Sequence, residues 1–318
     1  MDVIWGNTTQ YTMVYWPWPI AIYLFLAGLS AGALMVSILV KWLEGNETPP
    51  WDGLIKAGAM TAPLAIILGL GLLVVDLGKP LTFWYLMVYV NPTSIMSIGA
   101  WLLSIYTPLA LIFGAMIFSH SGRLAEPLKP FAALLGFFER LGTKFESLLL
   151  LLSVGVAAYT GFLLSAVPSF PLFNQPVLPL LFLVSGFSAG IACNILLGLT
   201  VFKSSVNENN LKYLLAIDLR VVPFEMVMLF IMFVGMHYLG GAHAVVAAQV
   251  LTTGTWATVF WLGVVGVGLV VPVLVAVVAL HGHSYKLSTV LFNSAAVLVG
   301  VLLLRFYILY AGQLFPGT

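Results

Sequence analysis

The chain has 318 residues, of which 61% are hydrophobic and 7% charged, with a formal net charge of +1. Long apolar runs recur from end to end, which excludes a soluble globular enzyme and identifies an all-α integral membrane protein; no nucleic-acid partner is expected. The single cysteine, Cys193, can neither close an intrachain disulfide nor hold an iron–sulfur cluster by itself.

Hydropathy predicts eight transmembrane helices, at about 18–40, 54–78, 94–119, 146–167, 177–202, 213–239, 256–280 and 287–312. They form a single polytopic domain of two four-helix halves, about 1–168 and 169–318. Nine of the ten basic residues outside the helices fall in the loops after helices one, three, five and seven, and Lys79 is the exception. By the positive-inside rule those loops are cytoplasmic and both termini lie outside, in the periplasm of a bacterial inner membrane. No cleavable signal is expected, because residues 1–17 carry no Lys or Arg and the first apolar run is long enough to span.

The first helix opens with Trp16, Pro17, Trp18 and Pro19, an interfacial anchor, and brings Tyr23 in about one turn later. The second ends at Asp76, close to Lys79, where a rim ion pair and a site role are both open. The segment LTFWYLMVYV that follows is too short to span and reads as interfacial, as does FAALLGFF on the opposite side. Tyr159 lies near mid-depth in the fourth helix and Arg305 well inside the eighth. Packing accounts for a lone tyrosine and interfacial snorkelling for an arginine, against a role in a site, for which Asp76, toward the same end, is the expected partner of Arg305. The motif GLSAG at Gly28 recurs as GFSAG at Gly186; close helix packing explains both copies, and an internal duplication remains open.

The sixth helix holds Asp218, Arg220 and Glu225. An ionised side chain at the bilayer centre costs at least ~2.5 kcal/mol, so such residues turn to the protein interior and mark ion or proton paths. Asp218 and Glu225, two turns apart, share a face and form a ladder of two carboxylates, whereas Arg220 and Glu225 point roughly 140° apart. Between the carboxylates Pro223 lacks an amide proton and is expected to bend the helix, within the bundle interior. The five histidines sit at helix ends or in loops, so no pair faces across the bundle to ligate a haem, and no metal site is expected. The polar set that remains is Tyr23, Asp76, Tyr159 and Arg305 with Glu225 and Asp218 further in. It suits a quinone pocket with a proton path, and it equally suits a proton-coupled secondary transporter.

The stretches PWPIAIYLFLAGLSAG from Pro17, FWYLMVY from Phe83, SIMSIG from Ser94, AYTGFLLSA from Ala158, LPLLFLVSGFSAG from Leu178 and LRFYILYAGQL from Leu304 resemble the NrfD-like membrane subunits nearly end to end. The likeness is greatest to members that serve polysulfide reduction. The resemblance implies eight helices without haem and a menaquinol site near the outer face. It also implies a periplasmic iron–sulfur partner that passes electrons to a molybdenum-pterin catalytic subunit. On this reading Tyr23, Asp76, Tyr159 and Arg305 shape the quinol pocket, drawing on the quinone pool of the bilayer. The proton role of Asp218 and Glu225 rests on their burial.

Overall fold

The computed structural model describes residues 16–44, 51–76, 80–88, 90–119, 128–203, 208–239, 245, 248–282 and 286–314. Eight helices in it are long and apolar enough to cross a membrane, and the chain is a multi-pass membrane protein. They are α1 (Trp18–Glu44), α2 (Trp51–Asp76), α3 (Ile95–Ser119), α4 (Thr143–Ser165), α5 (Leu178–Thr200), α6 (Glu208–Leu239), α7 (Gly254–His281) and α8 (Leu287–Gly312). Several run further into the loops than hydropathy predicts. α2 starts at Trp51 rather than 54 and α6 at Glu208 rather than 213. With an even number of spans, the start of α1 and the end of α8 lie on one side of the membrane.

The first four spans close a ring, α1 on α2, α2 on α3, α3 on α4 and α4 on α1, and α5 to α8 close a second. The seam between the rings centres on α1 against α5, and α5 also packs on α2 and α4. Here the two glycine motifs meet: a Cβ on Gly32 would collide with the Gly186 carbonyl, and one on Gly190 with the Gly32 backbone. Lipid supplies no hydrophobic force to join helices, so contact of this kind, made possible by small residues, holds the rings together. Packing therefore accounts for both copies of the motif. α1 is the most buried span and α6 the least.

Two short amphipathic elements flank the spans. Pro80–Thr82 and Tyr85–Val88 form two helical turns with Leu81, Phe83, Trp84 and Val88 exposed, and Ala132–Leu141 is a helix with Leu135 packed inward and Phe137 outward. Both fit the interfacial layer that their length and patterning predict. A feature that hydropathy does not reveal lies in α7, where Val259–Val270 winds as a π-helix. Gly268 in this segment approaches Gly300 of α8 so closely that a Cβ on either would meet the other's backbone.

Candidate functional site

The sequence-predicted residues separate into two centres on either side of α1. In the first ring, Tyr23 is fully buried and its hydroxyl has no hydrogen-bond partner among the described residues. Its ring lies over Gly69 of α2, where a Cβ would sit 3.4 Å from it. Tyr159 of α4 is 7% exposed and occupies the space that Gly99 of α3 leaves by having no side chain. The two phenols are near enough to interact electrostatically. Asp76, half-buried, stands two turns beyond Gly69 on the same face of α2 and so rims this aromatic pair toward the end of the bundle that holds both chain termini. Lys79 lies outside the described residues. The described ion pairs are Lys41 with Glu146 and Lys56 with Asp52, so none joins Asp76 to Arg305.

A buried hydroxyl without a partner costs about 1–3 kcal/mol of desolvation, so Tyr23 carries an energetic debt that packing alone does not offset. Two phenols converging in an apolar shell are suited to hydrogen-bond the oxygens of a flat, lipophilic guest.

The second centre is built on Arg305 of α8, which is fully buried, and this removes interfacial snorkelling as its explanation. Its Nη2 donates to Ser185 Oγ (2.7 Å) and to the Phe182 carbonyl (3.2 Å), and the guanidinium lies over the Phe182 ring at 3.7 Å. Its Nε and Nη1 have no hydrogen-bond partner among the described residues. A Cβ on Gly28 would come within 3.4 Å of Nη2, so the glycine at the α1/α5 seam also makes room for the charge. Gly28 is five residues inward of Tyr23, which sets the guanidinium roughly 7 Å deeper than Tyr23 along α1. Glu225 of α6 is 3% exposed, and its charge acts on Arg305. The arginine thus belongs with the buried carboxylate rather than with Asp76.

α6 runs unbroken through Pro223, whose ring is exposed on the outer face, not in the interior as the sequence suggests. The reason is angular, since Pro223 and Glu225 are two residues, or about 200°, apart and cannot share a face. Arg220 is exposed, not turned to the interior as the sequence suggests, because it points about 140° away from the buried Glu225. The Asp218 side chain lies outside the described residues, as do His120, His243 and His283. His237 stands edge-on to Tyr238 at the end of α6, and His281 contacts the Val277 carbonyl at the end of α7, on opposite sides of the bundle. Among the described residues no three His, Cys, Asp or Glu side chains group together.

Sequence reasoning missed a layer beneath the aromatic pair. Tyr106 of α3 is fully buried and its hydroxyl lies 2.9 Å from Ser30 Oγ of α1. It also missed Glu146, 5% exposed, which binds Lys41 Nζ and Trp42 Nε1 at the opposite end of the bundle. The available signal was a seven-residue spacing, 23, 30 and 37 on the first helix against 146, 153 and 160 on the fourth. A groove of about 590 Å³ between α6 and α7, lined by Phe233, His237, Phe260 and Trp261, shares no residue with either centre.

The family model "Polysulphide reductase, NrfD" matches residues 6–317. The chain is 50% identical over 317 residues to the C subunit of the polysulfide reductase of Wolinella succinogenes, covering 100% of both proteins. It is 38% identical over 312 residues to the protein NrfD of Escherichia coli, covering 96% of this chain and 97% of that one. A more distant relative is the Hdr-like menaquinol oxidoreductase integral membrane subunit of Archaeoglobus fulgidus, 27% identical over 300 residues, which are 92% of this chain and 69% of the other. With eight spanning helices, the predicted motifs in place and a match along nearly its whole length, this chain belongs to the NrfD family of membrane subunits.

Proposed function

We propose that this chain is the haem-free, quinol-oxidising membrane subunit of a periplasmic reductase complex, with polysulfide reductase as the assembly. The observation that carries the reading is Tyr23, a fully buried phenol with an unpartnered hydroxyl beside Tyr159 and below Asp76. The relatives support it, one being a polysulfide reductase subunit and another a menaquinol oxidoreductase subunit.

The substrate, menaquinol, supplies two electrons and two protons. Tyr23 and Tyr159 hold its oxygens and Asp76 stands at the rim, while Arg305 lies deeper and across α1, beside Glu225. Electrons leave to the periplasmic side, where an iron–sulfur partner receives them and feeds a molybdenum-pterin subunit. On this reading no haem relays electrons across the bilayer, so the partner docks on the face where the quinol lies. Glu225 and Asp218 take a proton inward to the cytoplasm. Both termini are periplasmic and the membrane is the bacterial inner membrane.

The test uses the purified complex. Extraction is expected to yield menaquinone, with no b-type haem band in the spectrum, and the complex is expected to oxidise a menaquinol analogue. A complex that turns over with artificial donors but neither retains menaquinone nor oxidises the analogue overturns the reading.

A further inference from the structure

α6 is the least buried span, and between it and α7 runs the groove of about 590 Å³. The α6 wall is formed by Met226, Leu229, Phe230 and Phe233, of which Leu229 and Phe233 are buried. The α7 wall is formed by the π-helix, through Phe260, Val265 and Leu269. In α-helical geometry Val265 would point roughly 140° and Leu269 roughly 180° away from Phe260, so the three could not line one wall. The i→i+5 bonds of a π-helix bring residues four and five apart onto a common face, and those are the spacings found here. The π winding of α7 therefore builds the groove. The wall is fixed from behind and above: the Phe260 ring lies edge-on to Phe233 at 5.3 Å and against Tyr307 of α8 at 4.8 Å, and Trp261 Nε1 donates to the Leu251 carbonyl at 2.8 Å.

The groove is polar at one end only. His237, Tyr238 and Thr252 line its mouth, at the end of the bundle where α1 begins, and the described lining residues deeper in are apolar. From His237 down to Met226 is about 16 Å by helical rise, and half of a ~30 Å hydrocarbon core is ~15 Å, so the groove runs the depth of one leaflet. Spread over that length, its volume gives a cross-section of about 37 Å², or roughly 7 Å across. That is too narrow for a helix, which is ~10–12 Å wide with its side chains, and suits a single hydrocarbon chain. A quinone ring would need donors for oxygens on two opposite edges, and the depth of the groove offers none. Phe230 and Trp261, on the two lips, are exposed toward the lipid, so the groove opens sideways into the bilayer.

We infer that this groove is the seat of a resident phospholipid: one acyl chain from the leaflet on that side lies between α6 and α7, with its phosphate and ester oxygens at His237 and Tyr238. The match is chemical as well as dimensional. The Tyr238 hydroxyl and an imidazole in either protonation state each offer a donor, and phosphate and ester oxygens accept. No acidic side chain among the described lining residues opposes a phosphate. Glu225 stands one turn beyond Leu229 on the same face of α6, so the deep end of the acyl chain comes to rest beside the turn that carries the buried carboxylate. The lipid supplies the packing that α6 does not obtain from the other spans, and it does so independently of what the aromatic centre across α1 binds.

The test uses the complex purified in detergent and washed free of loosely held lipid, with the extracted lipid identified and counted by mass spectrometry. The decisive variant is Val265→Trp, whose indole fills the middle of the groove. Wild type is expected to retain one phospholipid more per copy of this chain than the variant does. Adding phosphatidylglycerol to the delipidated complexes is expected to raise the melting temperature of wild type by several degrees and to leave that of Val265→Trp unchanged. If Val265→Trp fails to assemble, Ala248→Trp, at the mouth of the groove, takes its place in the same comparison. Equal phospholipid in wild type and the groove-filling variant overturns the seat, as does a wild type that keeps none. Menaquinone in place of phospholipid as the molecule that the tryptophan displaces overturns it as well.

Discussion

Arg305 of α8 and Glu225 of α6 interact electrostatically inside the membrane, and the hydrogen bonds of the arginine go to α5, at Ser185 and the Phe182 carbonyl. Three spans of the second ring therefore converge on one buried charge, and α1 admits it through Gly28. Removing the guanidinium takes the donor from the buried Ser185 hydroxyl and Phe182 carbonyl, and each buried polar group so stranded costs about 1–3 kcal/mol. Arg305→Met is expected to lower the yield of assembled complex by more than Glu225→Gln does, since a neutral amide replaces the carboxylate without stranding a bare hydrocarbon in a polar centre. The check is the detergent melting temperature of each purified complex, together with that of the double variant, which is expected to recover part of the loss.

Tyr23 makes a prediction of opposite sign for stability and activity. Deleting a buried hydroxyl that has no partner removes a desolvation cost of about 1–3 kcal/mol, so Tyr23→Phe is expected to melt at or above the wild-type temperature. Turnover with quinol is expected to drop about tenfold, and artificial-donor activity to persist. A loss of stability alongside normal quinol turnover would make Tyr23 a packing residue.

Glu225→Gln is expected to assemble, retain menaquinone and lose at least tenfold in quinol oxidation. In proteoliposomes the wild type is expected to acidify the side corresponding to the cytoplasm during turnover and to slow when the membrane potential is collapsed. Protons emerging only on the partner side, at a rate indifferent to the potential, would rule out an inward path.

The seam between the rings is tested by Gly190→Ala. The added Cβ would overlap the Gly32 backbone, which cannot yield as a flexible side chain does, and overpacking of this kind costs about 1–3 kcal/mol or more. Gly235→Ala is the matched control, because nothing lies within 4 Å of a Cβ there. The first is expected to lower the melting temperature of the complex by several degrees and the second to leave it unchanged or raise it.

Orientation is open to a direct measurement. A periplasmic reporter fused after Lys129 is expected to be inactive and one fused after Thr318 active, since the basic loops are retained on the cytoplasmic side. The reverse pattern would put the aromatic pair on the cytoplasmic face.

The number of spans, their approximate limits, the interfacial segments and the family were all legible in the sequence, for a physical reason. A bilayer imposes a length and a polarity on every segment that crosses it, and each helix answers that demand on its own. Helical angle alone set Glu225 and Arg220 on different faces, but the sequence turns both charges inward and only the structure shows Glu225 buried and Arg220 exposed. What the chain could not reveal by itself was which faces meet. Arg305 was read against Asp76 because both lie toward one end, yet the tertiary structure pairs its charge with Glu225 and its hydrogen bonds with α5, because Gly28 and Gly186 let α1 and α5 close around it. Ser30 and Tyr106 lie on different helices, and each alone looks like an ordinary polar side chain in an apolar run. Only the ring closure of α1 to α4 brings their hydroxyls to 2.9 Å.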